Sequence, residues 1–109
     1  MKPNFQQAMK QVQKAQADMA RVQEELENET VEASLGGGAV KVVMSGDLVL
    51  RSLSIDPAAV DPEDVPMLED MIAAAVNEAL RQAQDLQRSR MAAVMGGMGL
   101  PGGLGLPGM

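Results

Sequence analysis

The chain has 109 residues, a formal net charge of −6 and a single aromatic, Phe5, so its size and composition fit one small domain whose core is Val, Leu, Ile, Met and Ala. It contains no cysteine and no histidine, which excludes thiol chemistry, zinc sites of the usual ligand types and imidazole-driven nucleophilic catalysis, leaving a carboxylate-based hydrolase with a divalent ion as the remaining enzymatic option. No stretch reaches the ~20 apolar residues of a membrane span and the N-terminus lacks a signal-peptide layout, so a soluble cytoplasmic protein with no membrane partner is expected.

From Phe5 to Leu26 the apolar positions run Phe5, Ala8, Val12, Ala15, Met19, Val22 and Leu26 in alternating steps of three and four. This heptad seam predicts a helix over residues 4–28, capped by Asn4, with one face buried against another helix in coiled-coil fashion. Lys10, Lys14 and Arg21 lie opposite the seam. Glu24, Glu25 and Glu27 sit at the negative end of the helix dipole, which costs a few tenths of a kcal/mol unless a cation answers them.

Residues 30–35 and 39–45 are short and rich in β-branched side chains, and Gly36-Gly37-Gly38 between them predicts a hairpin whose loop needs positive φ. No Gly-Lys-Ser/Thr follows the glycines, so a phosphate-binding loop is the poorer reading. Gly46-Asp47 marks a second turn. A third strand is expected at 48–55, with a bulge near Arg51-Ser52 because Leu48 and Leu50 are out of phase with Leu53 and Ile55.

Asp61-Pro62-Glu63-Asp64 has the form of a helix start, with a capping Asp, a proline and acids in the first turn. The acids from Asp56 to Asp70 lack the ligand spacing of a calcium loop and are better explained by capping and solvation. Leu68, Met71, Ile72, Ala75, Val76, Ala79, Leu80, Ala83 and Leu86 form one stripe, so a second helix is expected over 62–95, with Pro66 confined to its opening turn. At ~1.5 Å per residue such a helix is roughly 50 Å long and must project from a small domain. A projecting amphipathic helix beside an uncovered seam implies either dimerisation or a helical hairpin arm. Residues 96–109 repeat Gly-Leu-Pro-Gly at 99–102 and 105–108 and are expected to be disordered.

The acidic total hides an uneven distribution. Residues 1–23 set Lys2, Lys10, Lys14 and Arg21 against Asp18 alone, residues 81–109 set Arg81, Arg88 and Arg90 against Asp85, and the acids concentrate in the middle. Both helices therefore carry basic stretches, which by themselves read as solvated surface charge and which the doubled arms of a dimer would suit to phosphate contacts, whereas the lack of aromatics disfavours single-strand readers that stack bases.

The order of heptad helix, Thr30-Val31-Glu32-Ala33-Ser34, Gly36-Gly37-Gly38, Val40-Lys41-Val42-Val43-Met44-Ser45-Gly46, Leu53-Ser54-Ile55-Asp56-Pro57, Asp61-Pro62-Glu63-Asp64, Leu68-Glu69-Asp70-Met71-Ile72, Ala74-Ala75-Val76-Asn77-Glu78-Ala79 and the Gly-Leu-Pro-Gly tail resembles the YbaB/EbfC family of bacterial nucleoid-associated proteins. The resemblance implies an α+β fold: an α-β-β-β-α protomer over residues 1–95 with a three-stranded antiparallel sheet and two long helices forming a projecting arm. It also implies a tweezer-like homodimer that binds double-stranded DNA in the nucleoid, with no cofactor, metal, small-molecule substrate or enzymatic activity. The family's DNA contact falls on its helical arms, which here carry Lys10, Lys14, Arg21, Arg81, Arg88 and Arg90. The alternative from another class is an adaptor dimer that holds a protein through its arms without DNA.

Overall fold

The computed structural model describes residues 5–97, in the order α1 (Phe5–Asn28), β1 (Thr30–Leu35), β2 (Val40–Ser45), β3 (Leu50–Ile55), a 3-10 turn (Pro57–Ala59) and α2 (Val65–Gly97). The expected cap Asn4 and most of the expected disordered segment, from Met98 onward, lie outside the described residues. Gly96 and Gly97 belong to the last turn of α2. Sheet order is β1-β2-β3, antiparallel throughout.

The β1–β2 hairpin turns on Gly36, Gly37 and Gly38 at φ 64°, 67° and 99°, a left-handed run that only glycine adopts without strain. Its register pairs Val31 with Met44, Ala33 with Val42 and Leu35 with Val40, which places all six on one face. The expected bulge is present: Val43 pairs with Ser52 and Met44 with Leu50, so Arg51 is the extra residue on β3. That insertion brings Leu50, Leu53 and Ile55 onto the face of Val40, Val42 and Met44. Leu48 does not join them. The β2–β3 connection is a turn closed by Leu48 N–H donating to Ser45 O at 2.9 Å, and Leu48 itself takes φ 67°.

The start of α2 differs from the expected residue 62. Asp61 accepts from Glu63 N–H and Asp64 from Met67 N–H, so Asp61–Asp64 forms a separate turn and Asp64 caps a helix that begins at Val65. Pro66 then falls in the first turn, where its missing N–H has no helical partner to lose.

The main core forms where α2 crosses β1 and β2. Ala75, Ala79 and Ala83, one helical turn apart, are fully buried against Ala33, Val40, Val42 and Met44, and Leu68, Met71, Ile72, Val76 and Leu80 flank them. The alanine stripe lets the helix backbone approach the sheet closely. Helix α2 leaves β3 uncovered, and Leu50 and Leu53 are each 43% exposed although they share the core face. A second, smaller cluster joins Val22 and Leu26 of α1 to Leu86, Met91 and Val94 of α2. Together the two helices form a long arm, and the molecule measures 76 × 30 × 17 Å.

The heptad seam is thus covered only at its base. Val22 and Leu26 are buried, but Phe5 is 75%, Val12 51% and Met19 36% exposed. The reason is length: the α1–α2 contact involves only the final turns of both helices, and α1 continues past it.

Candidate nucleic-acid interface

The cations sort by what they already touch. On α1, Arg21 lies 3.2 Å from Asp18 and 3.4 Å from Glu25, both on its own helix. On α2, Arg81 pairs with Glu78 and, at 3.1 Å, with Asp85, and Arg88 pairs with the same Asp85. The Arg81 hydrogen bond holds the Glu78 carboxyl below its ordinary pKa and raises that of Arg81 itself. Arg51 is 4.0 Å from Asp47. Among the described residues, only Lys10, Lys14 and Lys41 have no carboxylate within 4.0 Å.

Lys10 and Lys14 are exposed, one turn apart on α1, and no acid precedes Asp18 in the described part of that helix. A cation without a partner keeps its full charge for an incoming phosphate, whereas a paired arginine must exchange one anion for another. Lys41 is also exposed, on β2. It stands alone in an acidic stretch of the sequence, and only its alternation with apolar Val40 and Val42 marks it as facing outward.

Arg81, Arg88 and Arg90 all lie in the second half of α2 but do not share one face. Arg81 and Arg90 are nine residues apart, about half a turn round the helix at ~3.6 residues per turn, and they point to opposite sides. Arg81 and Arg88 share the outer face with Asp85. Arg90 turns toward α1, where it meets Glu25 at 3.4 Å and also binds Glu29. Lys14, Arg21 and Arg90 instead line one shallow groove between the helices, interleaved with Asp18 and Glu25. Lys10 lies beyond that groove, toward the arm tip.

The acids at the end of α1 also find their account here. Arg90 answers Glu25 and Glu29, and Arg51 donates to the Glu27 carbonyl at 3.3 Å, so two cations stand at the negative end of the helix dipole. The acids from Asp56 to Asp64 work as caps, with Asp56 accepting from Ala58 N–H at 3.0 Å and Asp61 from Glu63 N–H at 2.9 Å. Among the described residues no group of three or more Asp or Glu is placed to hold a metal ion, and no helix is long and apolar enough to cross a membrane.

A family model, the YbaB/EbfC DNA-binding family, matches residues 1–98. The chain belongs to that family. The YbaB/EbfC relatives include a nucleoid-associated protein of Moorella thermoacetica, 58% identical over 99 residues that cover 91% of this chain and 95% of the relative. A second, from Pelotomaculum thermopropionicum, is 57% identical over 99 residues, covering 91% and 94%. In fold, the chain is similar to the crystal structure of an uncharacterized Helicobacter pylori protein, with TM-score 0.72 and 21% identity, covering 86% of this chain and 98% of that one. Membership places the chain among DNA-binding rather than enzymatic proteins.

Proposed function

We propose that this YbaB/EbfC protein is a nucleoid-associated protein that binds double-stranded DNA as a homodimer, mainly by phosphate contacts from its helical arms, and thereby organises the chromosome and influences gene expression. The observation that carries the reading is the pair of unpartnered lysines, Lys10 and Lys14, on an arm segment free of carboxylates. Two arms present four such charges, and the acidic sheet region is kept apart from them along the long axis. Arg21, Arg81 and Arg88 take a secondary part: they are exposed, and water screens their ion pairs strongly enough that a carboxylate can be exchanged for a phosphate.

Dimerisation rests on a different surface. Leu50 and Leu53, on one face of β3, are each 43% exposed, an apolar strip on a strand whose outer edge is unpaired. Such a strip marks an association surface. With no base-reading signature on α1 or α2, phosphate contacts and DNA shape supply the affinity.

A mobility shift on duplex DNA, comparing wild type with Lys10→Glu/Lys14→Glu after light scattering has shown both to be dimers, tests the assignment. Loss of the shift in the double variant is expected; equal shifts would remove the lysines from the interface. The adaptor reading draws on the uncovered seam at Phe5, Val12 and Met19. It is favoured if nuclease-treated lysate yields a retained protein partner while wild type fails to shift duplex DNA.

A further inference from the structure

Arg90 stands apart from the other arm arginines, because its partners come from across the fold. Its guanidinium spans Glu25 and Glu29, 65 and 61 residues away in the chain. The second Glu29 oxygen is buried with no hydrogen-bond partner. The same neck holds three further ties. Gly46 N–H donates to Glu29 O and Gln87 Nε2 donates to Gly46 O, each at 2.9 Å, and Gly46 sits so close to Leu26 that a Cβ there would come within 2.8 Å of Leu26 Cδ2.

Above the neck, α1 is held to α2 by little else: Val22 and Leu26 against Leu86, Met91 and Val94. Lys10 and Lys14 lie 15 and 11 residues up α1 from Glu25, roughly 22 and 16 Å at ~1.5 Å per residue. A tilt of about 20° at the neck would carry Lys10 about 8 Å, more than the ~3.4 Å axial rise between phosphates on one strand. Removing the guanidinium would leave the partly buried Glu29 carboxylate uncompensated, which drives the last turn of α1 away from α2 to reach water.

We infer that Arg90 is a positioning residue: by clamping Glu25 and Glu29 it fixes the angle of α1 and so where Lys10 and Lys14 stand relative to α2 and the sheet, and it does not itself contact phosphate. The inference rests on the DNA-binding reading for its consequence, but the clamp is measurable without DNA. Charged groups near Arg90 on the groove side are Lys14, Asp18 and Arg21. Of these Arg21 stays beside Glu25 when Arg90 is changed, so an Arg90→Glu/Glu29→Arg swap restores a neck pair of reversed polarity at unchanged net charge.

The test uses the full chain, which has no cysteine of its own, carrying Gln13→Cys and Gln84→Cys spin labels diluted with unlabelled protein. Interlabel distances and the salt dependence of duplex binding are measured for wild type, Arg90→Gln and the swap, with Lys10→Gln as a comparison for a phosphate contact. Arg90→Gln is expected to broaden the distance distribution and to weaken binding about fivefold to tenfold while leaving the log–log salt slope at the wild-type value. The swap narrows the distribution and recovers the affinity. An unchanged distribution in Arg90→Gln overturns the clamp. So does a slope reduced as in Lys10→Gln together with a swap that fails to recover binding, since a Glu at position 90 cannot serve a phosphate. If wild type does not bind duplex DNA at all, the functional reading fails, and the distance measurement still decides the clamp.

Discussion

Single residues fix two features on which the neck and the hairpin depend. At Gly46 an added Cβ would lie 2.8 Å from Leu26 Cδ2 and 2.9 Å from the Leu26 carbonyl oxygen; the second contact is with backbone, so the strain cannot be relieved by a rotamer change. Gly46→Ala is expected to lower stability by about 2–3 kcal/mol, measured as a shift in urea midpoint at constant m-value. Leu48 shows the converse. A leucine at φ 67° carries ~1–2 kcal/mol of backbone strain, and its side chain is already 38% exposed. Leu48→Gly should therefore raise stability by about 0.5–1 kcal/mol after the extra chain entropy of glycine is deducted, read as a higher urea midpoint. Glu78 has its pKa depressed in the folded state, first through the Arg81 hydrogen bond. Its contribution is thus present above the unfolded carboxyl value and lost as pH falls through the folded one; in Arg81→Gln the acid limb of a stability-against-pH curve becomes shallower. The left-handed glycines 36–38 were legible in the sequence because three in a row have few other uses. Leu48 was not, since Gly46-Asp47 advertised the turn two residues earlier and no local pattern marks a leucine for positive φ.

At the scale of elements, periodicity located both helices and all three strands, and phase slippage located the bulge at Arg51. What it could not give was coverage. The seam from Phe5 to Leu26 is uniform along its length, yet only Val22 and Leu26 meet α2, because burial depends on where the partner helix ends. The same holds for the cations: Arg81, Arg88 and Arg90 cluster in the chain, while helical geometry separates Arg90 by half a turn and tertiary structure gives it Glu25 and Glu29. Strand β3 provides the element-scale prediction. Its apolar face is open in the protomer, so Leu53→Asp should leave the protomer folded by circular dichroism while halving the mass seen by light scattering. A dimer that persists in this variant would move the association surface elsewhere.

For the whole molecule, an extended body of 76 Å separates charges that a compact protein of net charge −6 would mix. Most acids lie toward the sheet and the first half of α2, and the unpartnered Lys10 and Lys14 lie along the far part of α1. An acidic protein can in this way present a locally cationic tip, which total charge alone conceals. In the function proposed, these two lysines on each of two arms carry the binding of duplex DNA. The salt dependence of binding, followed by fluorescence anisotropy on a short labelled duplex, tests it most directly. The four lysines, at about 0.9 per neutralised phosphate, contribute about −3.6 to the wild-type log–log slope; Lys10→Gln is expected to remove about half of that contribution, and binding is lost in Lys10→Gln/Lys14→Gln. A slope indifferent to either lysine, or a wild-type affinity that does not respond to salt, would remove Lys10 and Lys14 from the DNA interface.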